Sequence, residues 1–236
     1  MLKNINQENR PLAEQVAEQI QNLIADQSLK AGEKLPNEFE MGRELNVGRG
    51  TIREAVKILV SRNILEIRRG CGTFVCERPG IAEDPLGLNF VTDKQKLTED
   101  LGEVRIMIEP AMAALAAKHA TEEEICRIEE LSREIEELIG RGESHMEKDI
   151  EFHEVLAVSS KNLVMPNLVP VIHSAIPLFI EKTDQELIGE TIRTHRKIVE
   201  AIRQRDPEKA RAAMEEHQTV NQSKLKELYQ KEKSHF

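Results

Sequence analysis

Hydrophobic positions recur at helical spacing over most of the chain. In RPLAEQVAEQIQNLIADQ, Leu12, Val16, Ile20, Leu23 and Ile24 form one apolar stripe, and Pro11 suits the first helical position. After the turn LKAGEKLP, Asn37 with Glu40 three residues on makes a capping box that opens a short second helix. NVG breaks that helix. RGTIREAVKILVSRN resumes with Ile52, Ala55, Val56, Leu59 and Val60 inward. ILEIRRGCGTFVC then changes period and predicts two short strands around Gly70 and Gly72, a hairpin. Residues 77–92, punctuated by Pro79, Gly80, Pro85 and Gly87, predict a linker with room for one short turn of helix.

Beyond the linker the period is helical throughout. QKLTEDLGEVRIMIEPAMAALAAKHA carries Leu97, Leu101, Val104, Ile108, Met112 and Leu115, with a kink expected at Pro110. Thr121 with Glu124 forms a second capping box. VMPNLVPVIHSAIPLFI is apolar but interrupted by Pro166, Pro170 and Pro177. Two long helices are predicted at Leu187–Gln204 and Pro207–Gln230, the last capped by Asp206. The expected fold class is mainly α: a winged helix-turn-helix with a small β-hairpin wing at 1–76, a linker at 77–92, and an all-helical bundle at 93–236.

Composition narrows this picture. Aromatic residues make up 3% of the 236, with no Trp, so the core must be built from aliphatic side chains, which suits helices. No apolar run approaches the ~20 residues that span a bilayer, no hydrophobic leader opens the chain, and Cys71, Cys76 and Cys126 match no zinc spacing. A cytoplasmic protein with reduced thiols and no membrane partner is expected. The net charge of −9 is unevenly spread. Residues 1–78 hold 12 basic and 11 acidic groups, and Arg43 to Arg69 alone hold seven against three, a local net of +4. A phosphate backbone responds to that local patch.

Helix, helix, short turn, helix, hairpin is the order of a winged helix-turn-helix. Arg49, Arg53 and Lys57 fall at i, i+4 and i+8 opposite the apolar face, with Thr51 beside them. A helix in the major groove needs one face anchored and the other offering forks to bases and phosphates. Arg68, Arg69 and Gly70 fall at the hairpin tip, where a wing can follow the backbone. An ordinary solvated face would also explain the helical trio alone. The wording PLAEQVAEQIQNLI and LKAGEKLPNEFEMGRELNVGRGTIREAVKILVSRNILEIRRGCGTFV resembles the DNA-binding domain of the GntR family of bacterial transcription regulators, over residues 10–76. That resemblance implies that Arg49 and Arg53 contact double-stranded, palindromic operator DNA and that Gly70 approaches it closely. It also implies a homodimer. The sequence departs from the family pattern at Phe39, where a basic residue is common, and at Gly48 and Gly50, where Ser or Thr often stand.

In MEKDIEFHEVLA, Asp149 and His153 stand one turn apart among Ile150, Phe152, Leu156 and Ala157, on the side predicted to be buried. His195 lies in the stripe of Ile188, Ile192, Ile198 and Ile202, and His217 in that of Ala210, Met214, Val220 and Leu225. Burying an unpaired carboxylate costs several kcal/mol, and a shared cation removes that cost. Three imidazoles and a carboxylate suit Zn²⁺, Ni²⁺, Fe²⁺ or Mn²⁺ without choosing among them. A hydrogen-bonded i, i+4 pair accounts equally well for Asp149 and His153 alone.

Residues 95–225 resemble the FCD effector-binding domain of the FadR subfamily, through DIEFHEVLA, HRKIVEAIRQRDPEKARAAM and the EEH that ends at His217. The resemblance implies that Asp149, His153, His195 and His217 hold a divalent metal beside the effector. The acyl-CoA-responsive member of the subfamily lacks this ligand set. Arg105, in EVR, is placed by the resemblance in the effector pocket, where a guanidinium would clamp a carboxylate; a salt bridge to a neighbouring helix is the alternative. Asn162 matches an asparagine near the same pocket. His119, His145, His173 and His235 are read as structural or surface residues. The resulting expectation is a ligand-responsive transcription regulator, a repressor, sensing a small organic acid at a metal-containing pocket. The alternatives are a sensor of acyl-CoA or another non-acid ligand with a purely structural metal, and a metal-dependent enzyme, against which no general base stands beside the site.

Overall fold

The computed structural model describes residues 10–26, 28–82, 84–173 and 187–233. They fall into two compact units, Met1–Pro85 and Leu86–Phe236, each considered by itself below.

In the N-terminal unit, helices α1 (Leu12–Ala25), α2 (Glu38–Glu44) and α3 (Arg49–Ser61) are followed by strands β1 (Leu65–Arg68) and β2 (Gly72–Val75). The Asn37 carboxamide accepts from the Phe39 and Glu40 amides while Glu40 accepts from the Asn37 amide, so the capping box starts α2 where the sequence places it. Asn46 takes the left-handed conformation in the turn between α2 and α3, one that asparagine tolerates better than most residues. Val16, Ile20, Met41, Ile52, Ala55, Val56 and Leu59 close a small core against Leu65 and Val75.

The strands pair antiparallel with Leu65 opposite Val75 and Arg68 opposite Gly72. The stretch LKAGEKLP does more than turn: Lys34 bridges to Phe74, Leu35 donates to the Thr73 carbonyl and Val75 donates to that of Glu33. The hairpin therefore has a third, single-bridge partner. Gly72 has a φ of +126°, a conformation L side chains rarely adopt, so any other residue would be strained here.

The C-terminal unit is helical in its described residues apart from turns. After a 3-10 turn at Leu88–Phe90 come α4 (Lys94–His119), α5 (Glu122–Gly140), α6 (Met146–Ser159), α7 (Met165–Ile172), α8 (Ile188–Arg203) and α9 (Pro207–Lys233). Helix α4 runs through Pro110 as one helix. Pro166 lies in the first turn of α7 and Pro170 within it, while Pro177 and His235 lie outside the described residues. The core contains Met112, Ile128, Leu131, Phe152, Leu156, Ile198, Ile202 and Met214, with alanines of α4 and α9 between them. Small side chains allow α9 to lie along α4, and α9 also packs on α8. That packing turns the buried stripes of α4, α6, α8 and α9 toward a common centre.

The α5 cap gives a test of local stability. Thr121 Oγ1 accepts from the Glu124 amide, and Glu124 accepts from the Thr121 amide. Thr121→Ala is expected to cost about 1 kcal/mol, read as a lower denaturant midpoint at unchanged slope; an unchanged midpoint would mean that water replaces the cap without loss.

Candidate metal centre and nucleic-acid interface

Arg49, Arg53 and Lys57 are all exposed on α3, and Thr51, in its first turn, is half-buried. Glu38 of α2 grips Arg53 at two points, Oε1 to Nε at 3.3 Å and Oε2 to Nη2 at 2.9 Å. That hydrogen bond lowers the Glu38 pKa and raises that of Arg53. Lys57 pairs with Glu54 at 2.8 Å. On the hairpin, the Arg68 guanidinium lies 4.3 Å from the centre of the Phe74 ring and donates from Nε to Glu66. Arg69 is exposed beside it. Gly70 has a φ of +73°, and a Cβ there would meet nothing within 4 Å, so the tip is open as well as left-handed. Phe39 is 66% exposed on α2. The acidic partners were not foreseen from sequence, and Glu38 is separated from Arg53 by 15 residues.

In the C-terminal unit, Asp149 sits in the first turn of α6, where a carboxylate complements the helix dipole. His153 follows one turn later, His195 projects from α8 and His217 from α9; all four are buried. His153, His195 and His217 each offer a ligand nitrogen within 4.8 Å of the others. Asp149 Oδ1 is 3.4 Å from His195 Nε2.

Two of the three imidazoles, His195 and His217, are held toward their neutral forms. Burial pushes His195 well down, and His217 and His153 beside it add repulsion; burial does the same to His217, reinforced by His153 and Arg105. Neither nitrogen of His195 has a hydrogen-bond partner among the described residues, and the same holds for His153. What orients His195 is packing: its ring stacks on Phe152 at 4.4 Å between centres. His217 is oriented by hydrogen bonds. The Thr194 hydroxyl gives its proton to the Glu190 carbonyl at 2.7 Å, so its oxygen accepts from His217 Nδ1 at 2.8 Å. The lone pair then lies on Nε2, which Asn221 Nδ2 approaches at 3.2 Å.

Arg105 is buried, and its Nε donates to Glu109 one turn along the same helix at 2.7 Å, rather than to a neighbouring helix. Asn162 is exposed, and its side-chain oxygen accepts from the Val164 amide just before α7. Glu109, which the sequence did not single out, and His173, expected to be structural or on the surface, form a second buried group with His153. The charged surface grooves along α8, lined by Arg196, Lys197 and Glu200 against α9 and by Glu136 and Arg203 against α5, do not include the histidines.

A winged helix presenting cations, and in the other unit a helical bundle that gathers three buried imidazoles, define a DNA-binding transcription regulator with a separate C-terminal domain. Comparison with known proteins agrees. Residues 12–75 match "Bacterial regulatory proteins, gntR family", and residues 100–219 match the FCD domain. The HTH-type transcriptional regulator YcbG of Bacillus subtilis is 31% identical over 88% of this chain and 87% of its own. The HTH-type transcriptional repressor NanR of Salmonella typhimurium is 28% identical over 88% of this chain and 82% of its own. Among solved structures, Streptococcus agalactiae GntR superposes with a TM-score of 0.81 at 40% identity, covering 89% of this chain and 99% of that one. The chain belongs to the gntR family of bacterial transcription regulators, in the FadR-like branch that carries an FCD domain. These relatives and domains are regulators, not enzymes.

Proposed function

We propose that this regulator is a homodimeric repressor that reads a palindromic operator through Arg49, Arg53, Thr51, Lys57, Arg68, Arg69 and Gly70, and that releases it when a small organic acid enters a metal-containing pocket of the FCD domain. The observation that carries the sensing half is the convergence of three buried imidazoles next to a buried carboxylate, with the nitrogens of His153 and His195 lacking a hydrogen-bond partner among the described residues. Unpaired buried polar atoms are costly, so such a cluster fits a ligand better than an empty core. Asp149, His153, His195 and His217 would hold the divalent ion, Zn²⁺, Ni²⁺, Mn²⁺ or Fe²⁺. The bound cation supplies a positive coordination point for an effector oxygen. Arg105 would grip the carboxylate, since among the described residues only its Nε is engaged. Asn162 would border the pocket from the α6–α7 turn.

On DNA, α3 would enter the major groove with Arg53 reading bases, and the wing would follow the phosphates. Two-fold symmetry of the protein matches a palindrome. Repression is carried over from NanR, a transcriptional repressor. Effector binding would shift the population between placements of the DNA-binding heads, by its difference in affinity for the two states.

The test is operator binding by the full chain, metal-loaded and metal-stripped, against a panel of small organic acids. Release by an acid only in the loaded protein is the expected result. Release by acyl-CoA alone, or equal release without metal, would refute the pocket. On the DNA side, Lys57→Ala should reduce the slope of log affinity against log salt by about one; an unchanged slope would place Lys57 away from the phosphates.

A further inference from the structure

Glu109 is completely buried, and donors surround both its oxygens. Oε1 accepts from Arg105 Nε at 2.7 Å and from His173 Nε2 at 3.0 Å. Oε2 accepts from Gln218 Nε2 at 2.6 Å, and His153 Nδ1 stands 2.8 Å from it. That last approach is a close contact that falls short of hydrogen-bond geometry. The Arg105 guanidinium at 2.7 Å makes Glu109 one half of a buried ion pair within α4.

Two consequences follow from a carboxylate placed against Arg105 and Gln218 in this way. First, its oxygens are set to accept, so the His153 nitrogen facing it carries the proton. The basic lone pair of His153 is then on Nε2, a buried atom with no hydrogen-bond partner among the described residues. A carboxylate behind a ligand histidine fixes its tautomer and orientation. Second, Glu109 changes the charge of the site. Apart from histidines, the buried acidic and basic side chains among the described residues are Arg105, Glu109 and Asp149, one positive and two negative. Their net is −1, which a divalent cation turns to +1. Buried charge is tolerated best when it is matched.

We propose that Glu109 presets the pocket, holding His153 in the tautomer that offers Nε2 to the cation and, by neutralising Arg105, leaving one unit of positive charge for an effector with a single carboxylate. This rests on the metal-and-acid reading given above. Glu109 is a positioning residue: it acts on the ion through His153 and on the effector through Arg105.

The full-length protein loaded with Zn²⁺ provides the test. Ring ¹⁵N NMR of the wild type should show His153 protonated at Nδ1 and coordinated through Nε2; coordination through Nδ1 would overturn the proposal without any variant being made. Glu109→Gln should weaken Zn²⁺ binding by about 10- to 100-fold in competition with a chelator, whereas unchanged affinity would overturn it. Should that variant fail to fold, the wild-type spectrum decides. For charge, the probes are pairs of acids of equal carbon number with one or two carboxylates, such as threonate and tartrate. The wild type should favour the monocarboxylate, and Glu109→Gln should shift the preference toward the dicarboxylate. A wild type that favours the dicarboxylates, or that binds neither kind, would overturn the effector half. The two readings fail differently: a wild type that binds no Zn²⁺ removes the metal pocket itself, while a wild type and Glu109→Gln that bind Zn²⁺ equally remove only the role of Glu109.

Discussion

His195→Ala is expected to remove much of the stabilisation that divalent metal gives the C-terminal unit. In the wild type, metal at a thousand times its Kd should add about 4 kcal/mol. For a unit of this size that is a rise in Tm on the order of 8–16 °C. His195 is the informative ligand because hydrogen bonds do not hold it. Both its nitrogens are buried without a partner among the described residues, and the Phe152 ring stacked on it sets its plane. Removing it takes one imidazole nitrogen from the set and leaves His153, His217 and Asp149 with an open coordination position, which weakens the site. The variant also loses packing against Phe152, so each protein must be compared with its own stripped form. Differential scanning of loaded and stripped samples isolates the metal contribution. An equal rise in Tm for wild type and variant would move the ion elsewhere, and no rise in either would leave the cluster a metal-free core.

The second large effect is expected on DNA. Arg53→Ala should weaken operator binding about ten- to hundred-fold while weakening non-specific binding much less. The guanidinium is exposed, and two contacts from Glu38 hold it in one orientation. A fork held flat loses less rotamer freedom when it meets a guanine edge. Glu38→Gln should therefore lower specificity too, by freeing Arg53 and raising its attraction to any phosphate. Competition binding with operator and scrambled duplexes reads both effects. Equal operator affinity for Arg53→Ala and wild type would sink the docking of α3.

Much of the fold was legible because its determinants are local. The capping boxes at Asn37–Glu40 and Thr121–Glu124 each lie within four residues, and the structure forms both. The bridge from Lys34 to Phe74 was not legible, since it joins residues 40 positions apart in a stretch that otherwise reads as a turn. The candidate histidines stood out because each interrupts an apolar stripe. Glu109 did not, because the alanine-rich second half of α4 is buried on several sides and its stripe is too broad to mark an inward face. A signal was present nonetheless: Arg105 and Glu109 are four apart on a helix, the spacing that singles out Asp149 and His153. His173 lay in a proline-interrupted segment whose helical phase is lost, so only the folded chain brings it to Glu109.

The acidic partners on the N-terminal unit bear on how this protein would search a genome. Arg53, Lys57 and Arg68 each carry a carboxylate, so at long range much of the surface presents dipoles rather than bare positive charge. The chain as a whole is negative by nine charges. Attraction to random duplex should then be weak, each encounter brief, and the on-rate only mildly sensitive to ionic strength. A guanine edge or a well-placed phosphate can compete the carboxylates away, whereas a passing phosphate gains little. Discrimination would come from this exchange of partners at contact, and dwell time rather than arrival rate would separate an operator from the rest of the chromosome.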